Sequence, residues 1–234
     1  WTHYFWEFIM LFLAVFCGFL AENFREHQVE KKRATQYIHS FIQDLEIDNK
    51  QFEQLIKRFI EKDKNLDTLL QKLRGVNSST GANGLYKYHR QPFNYPDFIY
   101  TDRTIQQLKN SGGMRLIENK AVSDSIIAYD ALVKLISLDI SEGVKDLRVP
   151  CMLLTFKLFD LSCCPDLGTN IPSSDVQFPD PGVLLTYDKT ILTEYFNITQ
   201  ELKKQYGYYL GDLKHLKERN NSISHFIKQV YHLD

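Results

Sequence analysis

The sequence predicts an all-α protein: one N-terminal transmembrane helix continuing into a long amphipathic helix that packs with a C-terminal helical bundle. Three observations carry this. Residues 8–21 (FIMLFLAVFCGFLA) contain neither a charge nor an amide. From Glu22 to Arg74 no Pro or Gly occurs, and apolar residues recur at Ile38, Leu45, Phe52, Phe59, Leu66 and Leu73, each seven apart. Nothing alternates at period two over a long stretch, as a half-buried strand would. The expected divisions are residues 1–24 as the span, 25–74 as a long amphipathic stalk helix, and 75–234 as a compact helical domain packing on it.

Residues 8–21 alone reach only ~21 Å as a helix, short of a ~30 Å hydrocarbon core. Extended to residues 1–24, the segment has Glu7 and Glu22 as its only formal charges, both toward its ends. Trp1, Tyr4, Phe5 and Trp6 gather at one end, where amphipathic rings favour the headgroup level. A cleaved leader would need small residues at a cleavage site, and Phe19-Leu20-Ala21-Glu22 does not supply that spacing. A buried soluble helix would leave the aromatic cluster unexplained. Ala14, Cys17, Gly18 and Ala21 share one face as two small-xxx-small pairs, which lets a second helix approach closely. The partners implied are the lipid bilayer and either other membrane or envelope proteins or a second copy of the chain. The sequence opens on Trp1 rather than Met, and we expect residues upstream of it.

In the stalk a second apolar line runs Phe41, Leu55, Leu69, interrupted by Asp48 and Lys62, with Ile42, Ile56 and Leu70 alongside. The interspersed charges read as a solvated face. Phe at successive core positions and charges at others suit a bundle better than a regular coiled coil, so the distal stalk is expected to pack within its own chain. Residues 25–35 have little apolar content and read as a solvated stalk or an interface. Residues 75–84 (GVNSSTGANG) end the helix. Residues 86–100, aromatic and carrying Pro92 and Pro96, read as an extended strap. Thr101-Asp102 offers caps for a short helix reaching about Asn110, and Ser111-Gly112-Gly113 breaks it. Residues 121–147 are amphipathic, with Val122, Ile126, Tyr129, Val133, Ile136, Ile140, Val144 and Leu147 on one face. Residues 149–161 are apolar but too short to span, 165–181 form a Pro/Asp/Ser loop, and 189–232 are helical, bending near Gly207 or Gly211.

Chemistry is harder to find. Lys+Arg number 28 against 29 Asp+Glu, a balance that argues against a nucleic-acid partner, which calls for a basic surplus. The four cysteines show no C-x-x-C spacing; Cys163 and Cys164 are adjacent and read either as two thiols or as a vicinal disulfide. The seven histidines form no ligand pair. Asp44 and Asp48 sit at helical spacing, where solvation accounts for them better than acid–base work. Tyr206, Tyr208 and Tyr209 suit aromatic packing or, less well, sugar stacking. No catalytic grouping, metal site or cofactor is implied.

Two stretches carry a resemblance. Residues 7–48 (EFIMLFLAVFCGFLAENFREHQVEKKRATQYIHSFIQDLEID) and residues 101–130 (TDRTIQQLKNSGGMRLIENKAVSDSIIAYD) resemble an uncharacterised family of single-span, N-terminally anchored membrane proteins common in Bacteroidota. The resemblance implies an inner-membrane anchor with the helical domain in the periplasm, which outweighs the basic residues Arg25, Lys31, Lys32 and Arg33 just after the span. It implies no catalytic residues. Arg103, Gln107, Ser111, Gly112, Gly113 and Arg115 match the family's central signature. Physically, Gly112-Gly113 permits a turn with positive φ, and the two arginines are placed to pin that turn to stalk carboxylates; a partner-binding role for the same residues stays open. The functional expectation is a non-enzymatic, membrane-anchored interaction protein, an accessory or scaffold subunit of an envelope complex. The alternative is a periplasmic ligand-binding or sensor domain with its pocket among the aromatics of 86–100.

Overall fold

A computed structural model describes residues 2–82, 84–164, 178 and 182–233, with backbone alone for residues 2, 139–142 and 163. Among these residues there are four α-helices, joined by short 3-10 turns, and no strand. Trp1 of the aromatic end, the Ile140 side chain and all of the 165–181 loop except Phe178 lie outside the described residues.

Helix α1 (Thr2–Gly75) is one uninterrupted helix of 74 residues, joining the apolar segment to the charged stalk as expected. Its end carries Lys72 and Arg74, cations that suit the negative end of the helix dipole. Helix α2 (Arg103–Asn110) is short. Helix α3 (Lys120–Leu158) starts on Asn119, whose Oδ1 accepts the Val122 amide at 3.1 Å. Helix α4 (Lys189–Tyr231) starts on Asp188, whose carboxylate accepts the amides of Thr190 and Ile191. It runs through Gly207 and Gly211 without interruption.

Two expectations need correction. The apolar segment 149–161 is not a separate element: α3 continues through Pro150 to Leu158. An interior proline removes one helical hydrogen bond and costs about 3 kcal/mol. Val144, Cys151, Leu154 and Leu158 are all buried around it, and their packing offsets that loss. The strap is also less extended than expected. Residues 85–93 form a 3-10 turn (Leu85–Lys87) and consecutive turns, and only residues 94–102 lack regular structure.

The described chain divides into two compact units. The first holds Trp1–Asp48, Thr101–Asp130 and Asn221–Asp234. Its core joins Ile38, Phe41 and Leu45 of α1 to Ile105 and Leu108 of α2, Val122 and Ile126 of α3, and Ile227 of α4, all nearly inaccessible. Phe41 meets Tyr129 edge-on at 6.4 Å. Within this unit residues 3–33 of α1 are almost wholly exposed. The apolar stretch has a mean hydropathy of 2.0 with none of it buried, making it the one candidate membrane span among the described residues.

The second unit holds Asn49–Tyr100 and Ala131–Asn220. Phe52, Phe59, Leu66 and Leu69 of α1 pack with Val133, Leu158 and Phe159 and with Tyr195, Leu202, Tyr206, Leu213 and Leu216 of α4, all buried. Ion pairs from α4 back to α1 flank this seam: Lys217 to Glu53 at 3.0 Å, and Lys203 to Asp67 at 2.8 Å. The distal stalk therefore packs within its own chain.

Candidate functional site

Asp44 and Asp48 are not part of a solvated face. Each is 1% exposed, which corrects the reading of the stalk carboxylates. In the first unit Asp44 on α1 accepts the Thr104 amide at 3.1 Å and the Arg103 Nε at 2.5 Å. Asp102 occupies the position before α2 but makes no side-chain cap there; its carboxylate accepts from Gln106 instead. The N-terminus of α2 is thus capped from another helix, by a buried carboxylate that also meets the helix dipole. One turn further along α1, Asp48 Oδ1 accepts the Thr101 amide at 3.0 Å.

The signature residues are only partly united. Arg103 does pin the segment to a stalk carboxylate, with its own side chain 63% exposed. The Ser111 hydroxyl donates to the Gln107 carbonyl at 2.7 Å, closing α2, while the Gln107 side chain is exposed. Gly112 has φ +66° and Gly113 is buried, where an added Cβ would meet Tyr37 Cε2 at 3.1 Å and Leu108 Cδ2 at 3.3 Å. The turn needs one glycine for its dihedral and the next for its closeness to α1. Arg115 departs from expectation. It is exposed and makes no ion pair with a stalk carboxylate among the described residues. A further buried carboxylate, Asp130 of α3, binds Lys109 of α2 at 2.5 Å.

Burial pushes the Asp48 carboxyl up to about 6, with Asp44 and Asp102 adding to the rise and the Thr101 hydrogen bonds opposing it. The native state therefore holds a proton between about pH 4 and pH 6 that the unfolded chain has lost, so stability falls as pH rises through that window. Asp48→Asn keeps the Oδ1 acceptor and removes the charge. Urea unfolding is expected to find D48N level with the parent at pH 4 and more stable by about 2 kcal/mol at pH 7. An unchanged difference across that range would show that the carboxylate is not desolvated.

Comparison with family models, curated proteins and solved structures returns no match.

In the second unit the notable group is Lys62 of α1, 5% exposed. Its ammonium donates to the backbone carbonyls of Gln91 and Asn94 and lies 4.4 Å from the Tyr206 ring centroid. Tyr206 donates its hydroxyl to the Pro92 carbonyl. Arg148 of α3 donates to the Phe93 carbonyl at 3.0 Å. Gln51 of α1 pairs with Ile99 in both directions, accepting its amide and donating to its carbonyl. One side chain after another thus satisfies the backbone of a segment that has no helix or sheet to satisfy it. Burial, with the Arg148 charge beside it, brings the Lys62 ammonium down to about 7.

The strap's aromatics are divided between core and cleft. Tyr86 is fully buried, donating to the Val183 carbonyl at 2.7 Å and packing edge-on against Phe159. His89 is buried beside it, and burial lowers its pKa. Tyr95 stacks on Tyr206 and Tyr209, which accounts for that cluster as packing, while Tyr208 is exposed. Tyr95, Asp97, Phe98, Ile136, Ser137, Tyr209 and Leu216 line a cleft of about 300 Å³. Ala14, Cys17, Gly18 and Ala21 are all exposed on the apolar part of α1, with open space around Gly18. Cys17 and Cys151 are free thiols; the Cys163 side chain, on which the vicinal pair with Cys164 turns, lies outside the described residues. Among the described residues no cluster of His, Cys, Asp or Glu is arranged to hold a metal.

The groups missed by sequence reasoning are Asp44, Asp48, Gln51 and Lys62. The available signal was the interruption itself. Asp48 and Lys62 stand where the stalk's apolar line demands a buried residue, and a buried charge needs a designated partner.

Proposed function

We propose that the chain is a non-enzymatic, membrane-anchored interaction protein, an accessory or scaffold subunit of a bacterial envelope complex. On this reading residues 1–24 sit in the inner membrane and the helical part stands in the periplasm. It belongs with the single-span family whose anchor and central signature it resembles. One observation carries the reading: an 18-residue stretch of α1 with mean hydropathy 2.0, none of it buried, continues without a break into packed helical structure. Each large apolar side chain left in water forgoes about 1.5–3 kcal/mol of burial, and a bilayer recovers it. The buried ionisable groups Asp44 and Lys62 are occupied with backbone partners, which supports a structural rather than a catalytic use of them. Arg103, Gln107, Ser111, Gly112 and Gly113 act as a structural turn on this reading, and Ala14, Cys17, Gly18 and Ala21 offer a face for a second membrane helix.

Mild-detergent extraction of the intact chain from native membranes, followed by mass spectrometry, tests the proposal. Envelope proteins recovered at a reproducible stoichiometry are expected. The chain alone, or only copies of itself, would overturn the subunit assignment. A ligand-binding or sensor reading has one observation in its favour, the aromatic cleft beside Tyr95 and Phe98; it is favoured if the chain purifies alone and a small molecule quenches tyrosine fluorescence there.

A further inference from the structure

Arg115, the signature residue that the turn does not use, lies in the first unit beside the exit of α1 from its apolar segment. It shares a cleft of about 340 Å³ with His27, Glu30, Lys31, Leu116 and Glu118. His27 Nε2 and Glu118 Oε1 are 3.9 Å apart across it, both well exposed. The cleft therefore presents two permanent cations, two carboxylates and one apolar side chain to an incoming group.

Its height along α1 decides what that group is. Taking Phe24 as the end of the span, His27 lies three residues on and Lys31 seven, roughly 5 and 10 Å along the axis. The polar headgroup layer occupies roughly 5–7 Å outside the hydrocarbon on each side. Helical side chains lean toward the helix N-terminus, so the Lys31 side chain leans back toward the bilayer surface. We propose that this cleft binds the headgroup of a zwitterionic phospholipid carrying a primary ammonium, of the phosphoethanolamine class. Arg115 and Lys31 take the phosphate, for which guanidinium is suited by its forked donors. Glu30 and Glu118 accept from the ammonium, which donates three hydrogen bonds, and Leu116 meets the glycerol end. A purely anionic headgroup would leave both carboxylates facing like charge, and a quaternary ammonium would offer them no donor. This inference rests on the membrane reading above.

The test uses the full chain in nanodiscs of phosphatidylcholine doped equally with phosphatidylethanolamine or phosphatidylglycerol, with native mass spectrometry of the lipid retained. One phosphatidylethanolamine per chain is expected, retained over the other two lipids. Arg115→Ala is expected to lower that retention about tenfold, the loss of one charge-assisted contact. Glu118→Gln is expected to erase the preference over phosphatidylglycerol while leaving total lipid retained. Equal retention of all three lipids, or retention unchanged in both variants, would overturn the proposal, as would binding of soluble phosphoethanolamine with no lipid retained. Alkaline carbonate extraction separates the two levels. Release of the chain from membranes overturns the anchor itself, whereas an integral chain without lipid preference overturns only the headgroup site.

Discussion

Replacing Lys62 with alanine is expected to destabilise the second unit by about 4 kcal/mol. The carbonyls of Gln91 and Asn94 lose their donor, each orphaned acceptor costing about 1–3 kcal/mol. The methylene stem beside Tyr206 also disappears and leaves a void. For a chain of this size the midpoint of thermal unfolding is expected to fall by roughly 10 °C. Lys62→Met keeps the volume and isolates the charge. The folded ammonium sits at about 7, well below its ordinary value near 10, because burial and Arg148 oppose the charge while Cys151 only partly favours it. Between pH 7 and 10 the unfolded chain thus binds a proton that the native one has released, and parental stability rises with pH. Lys62→Met is expected to lose that rise, while below pH 7 the two curves run parallel. Identical curves from pH 7 to 9 would show that the lysine is solvated.

Asp44→Ala is the second large effect, about 3 kcal/mol. It strips the buried Thr104 amide of its acceptor and α2 of its cap, and it releases Arg103. This loss divides unequally between the helix terminus and the arginine. Because the Arg103 side chain is 63% exposed, its ion pair is screened and contributes at most about 1 kcal/mol. A double-mutant cycle between Asp44→Ala and Arg103→Ala, read by chemical denaturation, is therefore expected to return a coupling under about 1 kcal/mol. A coupling near the whole 3 kcal/mol would mean that Asp44 serves the arginine rather than the helix terminus.

Much of the architecture was legible in the sequence because helical periodicity survives packing. Ile38, Leu45, Phe52, Phe59, Leu66 and Leu73 are all buried, and so are Phe41, Leu55 and Leu69. The Ser111-Gly112-Gly113 break and the Arg103 anchor were also readable, since a positive φ and a charge leave local marks. What periodicity does not encode is which charges go inside. Asp44 looked like any stalk carboxylate, and its acceptor role exists because the chain returns at Thr104, some sixty residues later. The reading of residues 149–161 as a segment apart from residues 121–147 failed for a related reason, and Pro150 lies at the join. Its local cost argues for a boundary, and tertiary burial of Cys151, Leu154 and Leu158 overrides it. Arg115 misled in the other direction: it sits in the same signature as Arg103 but faces a cleft with Lys31 and Glu118.

The membrane placement of α1 is the claim on which the functional reading stands, and Cys17 probes it directly. It is a free thiol in the middle of the apolar segment and exposed on the helix surface. The decisive measurement is site-resolved labelling of the full chain with a membrane-impermeant maleimide, in sealed membranes and again after detergent. Cys17 is expected to be unreactive while the bilayer is intact and to label once it is dissolved. Ready labelling of Cys17 in intact membranes would place the segment in water and contradict the anchor.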